Sequence, residues 1–97
     1  MAFVGKHGKL RFLRVNDLGH VFGPPTDAIH TEVTTGLVGD DIAFGFVLRV
    51  DDPNLAARQS MLSVLRDAWF HDKAVGVAYE LPADKKNGLL RRVELTA

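Results

Sequence analysis

Hydrophobic and polar positions alternate most cleanly over residues 42–50. Ile42, Phe44, Phe46, Leu48 and Val50 share one parity, and Ala43, Gly45, Val47 and Arg49 share the other. Successive strand residues point to opposite faces, so this pattern predicts a half-buried strand. Residues 28–38 predict another, with Ile29, Thr31, Val33, Thr35 and Leu37 on one face and His30, Glu32 and Thr34 on the other. Gly39-Asp40-Asp41 between them reads as a hairpin turn. Residues 74–81 form a further strand. There Val75, Val77, Tyr79 and Leu81 face one way, and Ala74, Gly76 and Ala78 leave the other face nearly bare. Asn87-Gly88 marks a second hairpin, leading into a last strand over residues 89–96.

The start of the chain is less regular. Residues 10–15, "LRFLRV", read as a strand whose parity slips: Leu10 and Phe12 share one face, Leu13 and Val15 the other. A bulge near Phe12 and Leu13 would bring both pairs together. The glycine-rich residues 1–9 are expected to be loosely ordered or to enter this strand late. The polar and proline-containing stretch of residues 16–27 reads as a stiffened loop, since Pro24 and Pro25 fix φ and lack a donor.

After residue 50 the period changes from two to 3.6. Asp52 suits a helix N-cap and Pro53 the first helical position. Ala57, Met61, Val64, Leu65 and Ala68 form a stripe on a helix running to about residue 70. Leu55, Leu62 and Trp69 widen that stripe to about half the circumference, more than the roughly 100° one core face requires.

The predicted order is three strands, a helix and two strands, a mainly β chain with one helix. A helix between the third and fourth strands of a five-stranded barrel is the order of an OB-fold, a partly open Greek-key barrel. On that element order the chain resembles an OB-fold domain over nearly its whole length. More narrowly, it is similar to the small OB barrels that form rings in the B subunits of bacterial AB5 toxins. The alternative arrangement is an open antiparallel sheet with the helix packed on one face.

Ninety-seven residues suit one domain spanning 1–97. Twelve basic and twelve acidic residues cancel, so bulk charge gives no drive toward polyanions or anionic membranes. The chain has no cysteine, which excludes a disulfide scaffold, a zinc ribbon and a thiol nucleophile. No apolar run approaches the roughly 20 residues that span a bilayer, and no signal-peptide pattern opens the chain. These features lead to the expectation of a soluble cytoplasmic protein without a membrane partner.

Candidate chemistry is sparse. His20, Asp27 and His30 lack the close spacing of zinc ligands, so no metal and no cofactor is expected. Asp40-Asp41 and Asp51-Asp52 read as turn and cap residues. Ser60 and Ser63 sit on the helix, outside any nucleophile elbow, and His71 suits the helix C-terminus. A non-catalytic binding module is therefore expected, its ligand meeting the loops at one barrel end through His20, Phe22, Asp27, Lys85 and Lys86. An alternative uses the strand arginines Arg11, Arg14, Arg49 and Arg91 to bind single-stranded nucleic acid; a third reading is an enzyme whose catalytic groups form no recognised motif. The over-wide helix stripe, Trp69 and Phe70 at its end, and the bare Ala74, Gly76 and Ala78 face predict a homo-oligomer that covers them.

Overall fold

In a computed structural model, which describes residues 2–17, 31–83 and 87–95, the elements are β1 (Ala2–Asp17), β2 (Thr31–Leu37), β3 (Ala43–Leu48), α1 (Leu55–Phe70), β4 (Ala74–Leu81) and β5 (Gly88–Glu94). The strands close into a ring in the order β1-β2-β3-β5-β4. The open-sheet alternative is thereby set aside. The order of strands and helix is the one the hydrophobic pattern predicts.

The start of the chain departs from expectation. Residues 2–9 are the first half of β1, a strand of 16 residues. Such length follows from two partners. Residues 2–9 pair antiparallel with β4, from Ala2↔Leu81 to Lys9↔Ala74. Beyond them β1 pairs antiparallel with β2, from Leu10↔Leu37 to Asp17↔Thr31. A bulge between Leu10 and Phe12 marks the change of partner, and the bend that a bulge supplies carries one strand from one neighbour to the next. Only Leu10 and Leu13 gain the core through it. Phe12 turns to the outer face opposite Gly36, and Val15, still on the core parity opposite Val33, is 53% exposed. Thr35 is fully buried, and its hydroxyl donates to the Phe12 carbonyl at 2.6 Å. The bulge thus supplies the acceptor that a polar side chain needs in the core.

The core gathers Leu10, Val33, Leu37, Phe44, Phe46, Val75, Val77, Tyr79 and Leu90 from the strands, with Leu65 and Ala68 from the helix. Phe44 and Tyr79 stack with ring centroids 4.9 Å apart and planes inclined by 13°. The ring is shut by a short parallel seam between β3 and β5, Phe44↔Gly88 and Gly45↔Leu89. Both glycines are needed there. A Cβ on Gly88 would lie 2.3 Å from the Tyr79 ring, and one on Gly45 would lie 1.9 Å from the Val33 carbonyl oxygen.

Past this seam the helix takes over. Its first turn begins at Leu55, with Asn54 rather than Asp52 at the N-cap. Asp52 accepts the Asn54 N–H at 2.8 Å and forms an ion pair with Arg58 at 2.8 Å. Arg58 in turn donates to the Val47 carbonyl of β3 at 3.2 Å. A strand carbonyl without a β5 partner is satisfied from the helix. At the other end the backbone turns through Asp72, at φ 54°, and the Lys73 N–H closes back on the Ala68 carbonyl at 2.9 Å.

Substitution of either seam glycine is expected to destabilise the fold. Gly88→Ala should cost about 1–3 kcal/mol, since a ring can shift, and Gly45→Ala more, since a backbone must. Gly8→Ala, whose Cβ would meet Leu37 at an ordinary 3.8 Å, should stay within about 0.5 kcal/mol of wild type. Urea denaturation of the three variants checks this ranking.

Candidate functional site

The outer face of β1, β2 and β3 is built from three cross-strand rows. Phe12, Gly36 and Ala43 form one; Arg14, Thr34 and Gly45 the next; Asn16, Glu32 and Val47 the third. Two guanidinium groups lie over the Phe12 ring, Arg11 at 4.7 Å and Arg14 at 5.1 Å from its centroid. Cation–π contact holds both flexible side chains against the sheet. Gly36 makes room for Arg11 and Phe12, because a Cβ there would come within 3.1 Å of Arg11 and of the Phe12 ring. Arg11 is further fixed by its Nε–H, which donates to the Asp40 carbonyl at 3.0 Å.

The same face carries a groove of about 220 Å³, lined by Glu32, Thr34, Gly45 and Val47 on one side and Asn87 and Leu89 on the other. Its floor at Gly45 is bare backbone. The stack does not line the groove, and the cross-strand row Arg14, Thr34 and Gly45 leads from one to the other. The outer face therefore carries a groove with bare backbone at Gly45 and, across β2 from it, a pair of fixed cations. Phe12 and Gly36 carry much of this arrangement and were not among the residues singled out above. The parity slip in "LRFLRV" pointed to a bulge, but its place between Leu10 and Phe12, ahead of Phe12 rather than after it, is what turns the ring outward.

The other expected residues fall as follows. His20, Phe22, Asp27, Lys85 and Lys86 lie outside the described residues, as does His30. Arg91 lies on β5 and is engaged with Glu80 of β4 through two 3.3 Å contacts. Arg49 is exposed just past the end of β3. Arg11 and Arg14 are thus brought together, and Arg91 is held on the β4–β5 side of the ring. Trp69 is 47% and Phe70 76% exposed at the helix end. Ala74 is half-buried, whereas Gly76 and Ala78 are buried within the chain itself. The Glu94 side chain covers Gly76, so that a Cβ there would lie 3.0 Å from its Cγ. That part of the bare strip is closed to a second backbone by β5.

Lys6 points inward from β1, on the face it shares with Val4 and Leu10, and its ammonium makes a short ion pair with Asp40 in the β2–β3 turn. The hydrogen bond from Lys6 holds the Asp40 carboxyl below its ordinary range, helped by the Ile42 N–H at 3.0 Å. The same bond raises Lys6, with the Tyr79 hydroxyl adding to it and partial desolvation opposing.

Among the described residues, no three His, Asp or Glu side chains gather as metal ligands. No described helix is long and apolar enough to cross a membrane. Comparison with protein-family models, with curated proteins and with solved structures finds no match to this chain.

The Lys6–Asp40 pair makes stability depend on pH in two directions. Asp40 has a lowered folded-state pKa, so its contribution is complete above the ordinary carboxylate range and is lost as pH falls through the lowered value. Lys6 has a raised one, so its contribution is complete below the ordinary lysine pKa and is lost as pH rises through the raised value. Thermal melts of wild type and Asp40→Asn across acid pH should converge on acidification. A constant gap between them would contradict this assignment.

Proposed function

We propose that this chain is a small, non-catalytic, self-associating binding module of OB-like type, which takes an extended ligand along the outer face of β1, β2 and β3. The ring order β1-β2-β3-β5-β4, with the helix between β3 and β4, is consistent with that fold. The observation that carries the reading is that one sheet face holds both the groove at Gly45 and the Arg11–Phe12–Arg14 stack, connected by the row Arg14, Thr34 and Gly45. Bare backbone admits a planar or extended group, and fixed guanidinium groups present paired donors to an anion. Self-association draws on the large apolar side chains left in water, Phe3, Trp69 and Phe70, at 65%, 47% and 76% exposure.

Single-stranded nucleic acid is the ligand class this chemistry favours. Its phosphates suit Arg11 and Arg14, and its unstacked bases suit the groove. Neutral overall charge does not oppose this, because the cations concerned are local and held in place.

Fluorescence anisotropy of a labelled oligothymidylate, about 12 nucleotides long, tests it. Affinity is expected to fall with salt, with a log–log slope of about −0.7 for each phosphate neutralised. Arg14→Gln should reduce that slope by about 0.7 and leave the melting temperature unchanged. An oligonucleotide that stays free at low salt, or binds Arg11→Gln and Arg14→Gln as well as wild type, would remove nucleic acid as the ligand of this face.

A further inference from the structure

Among the described residues, the first half of β1 has a strand on one side only. Residues 2–9 pair with β4, while pairing with β2 starts at Leu10. Which backbone groups face the open side follows from a hydrogen bond at its end. The Lys9 carbonyl accepts the Val38 N–H at 2.8 Å, so Lys9 presents its backbone groups to the β2 side. Alternation along a regular strand puts those of Phe3 and Gly5 on that side too, and the register with β4 is unbroken between them. Among the described residues, no strand meets Phe3, Val4 or Gly5 along this edge.

Natural sheets guard such edges with proline, bulges or outward lysines. Residues 2–8 contain neither proline nor bulge. Lys6 is an inward-pointing charge, a further device of this kind, but Asp40 of the same chain already neutralises it. Instead the edge carries Phe3, 65% exposed, two residues from a glycine with open space above it. A Cβ on Gly5 would meet nothing closer than the Val77 carbonyl oxygen at 3.8 Å.

We infer that a second copy of this chain pairs with this edge, β1 against β1, antiparallel across a two-fold axis at Val4. This placement rests on the self-association proposed above. The segment is complementary to itself in that register. Phe3 of each copy lies opposite Gly5 of the other, and each ring covers the bare backbone facing it, a cross-strand pairing that stabilises glycine in sheets. The N–H and C=O groups of Phe3 and Gly5 meet their counterparts. Lys6 stands opposite Ala2, so no like charges face each other. The interface is isologous and closes as a dimer rather than growing into a fibre.

The experiment separates this placement from self-association in general. Light scattering of the wild type should give a dimer mass. Phe3→Lys, a change at an exposed position, should give the monomer mass at the same concentration with the melting temperature retained. Because the chain has no cysteine, Val4→Cys introduces a single thiol. Directly opposed strand positions of this type have Cα atoms about 4.5 Å apart, within the range a disulfide spans. Mild oxidation should therefore cross-link Val4→Cys, but neither Ser60→Cys on the helix nor Val4→Cys combined with Phe3→Lys. A dimer that survives Phe3→Lys, or is abolished instead by Trp69→Lys with Phe70→Lys, would overturn the β1 edge and leave self-association standing. A wild-type monomer with no cross-linking would overturn both.

Discussion

Closure of the ring depends on the two residue pairs that join β3 to β5, and each strand contributes a glycine there: Gly88 clears the Tyr79 ring, and Gly45 clears the β2 backbone. Under the seam lies the Phe44–Tyr79 stack, with Gly88 seated on the Tyr79 ring. A side chain at Gly88 would displace the largest aromatic pair of the core. A side chain at Gly45 would drive β3 away from β2 at the Val33 carbonyl. Core packing and ring closure are thus one constraint. The groove outside follows from it, because the glycine that lets β2 and β3 approach also leaves the groove floor without a side chain.

Among the described residues, so short a seam leaves the rest of β3 without a strand partner on that side. The helix makes up the difference with apolar and polar contacts. Leu65 and Ala68 enter the common core, and Arg58 reaches the Val47 carbonyl. The guanidinium group is itself held by Asp52 in the connection that leads into the helix. A buried carbonyl left bare costs about 1–3 kcal/mol, so this one arginine matters more than a typical surface cation. By contrast Arg91 and Glu80 lie across two paired strands that are already bonded, where an exposed ion pair adds little.

The bulge in β1 plays the corresponding part for the binding face. It lets one strand serve two neighbours, keeps Leu10 and Leu13 in the core, and turns Phe12 outward. Once outside, the ring collects Arg11 and Arg14 and fixes two cations on the face that carries the groove. The ion pair of Lys6 and Asp40 ties the β2–β3 turn onto the same strand, and that turn offers the Asp40 carbonyl to Arg11. A structural irregularity and a turn contact together organise the surface proposed to bind.

Much of the fold was legible in the residues alone. The element order, the inward parity of Phe44, Phe46, Val75, Val77 and Tyr79, and the turn at Gly39, which adopts φ 83°, could all be read from local patterns. Alternation and helical period are properties of a segment with one buried face, so they appear wherever side chains exist to display them. They fail where glycine replaces the side chain, which is why residues 2–9 read as loose although they form half of β1. Other features belong to pairs of segments far apart in the chain. The cover that Glu94 gives Gly76, the need for glycine at positions 45 and 88, and the meeting of Arg11, Phe12 and Arg14 over Gly36 depend on which strands become neighbours. Local periodicity carries no record of that choice. It is made when the ring closes, by the distance at which one backbone can approach another.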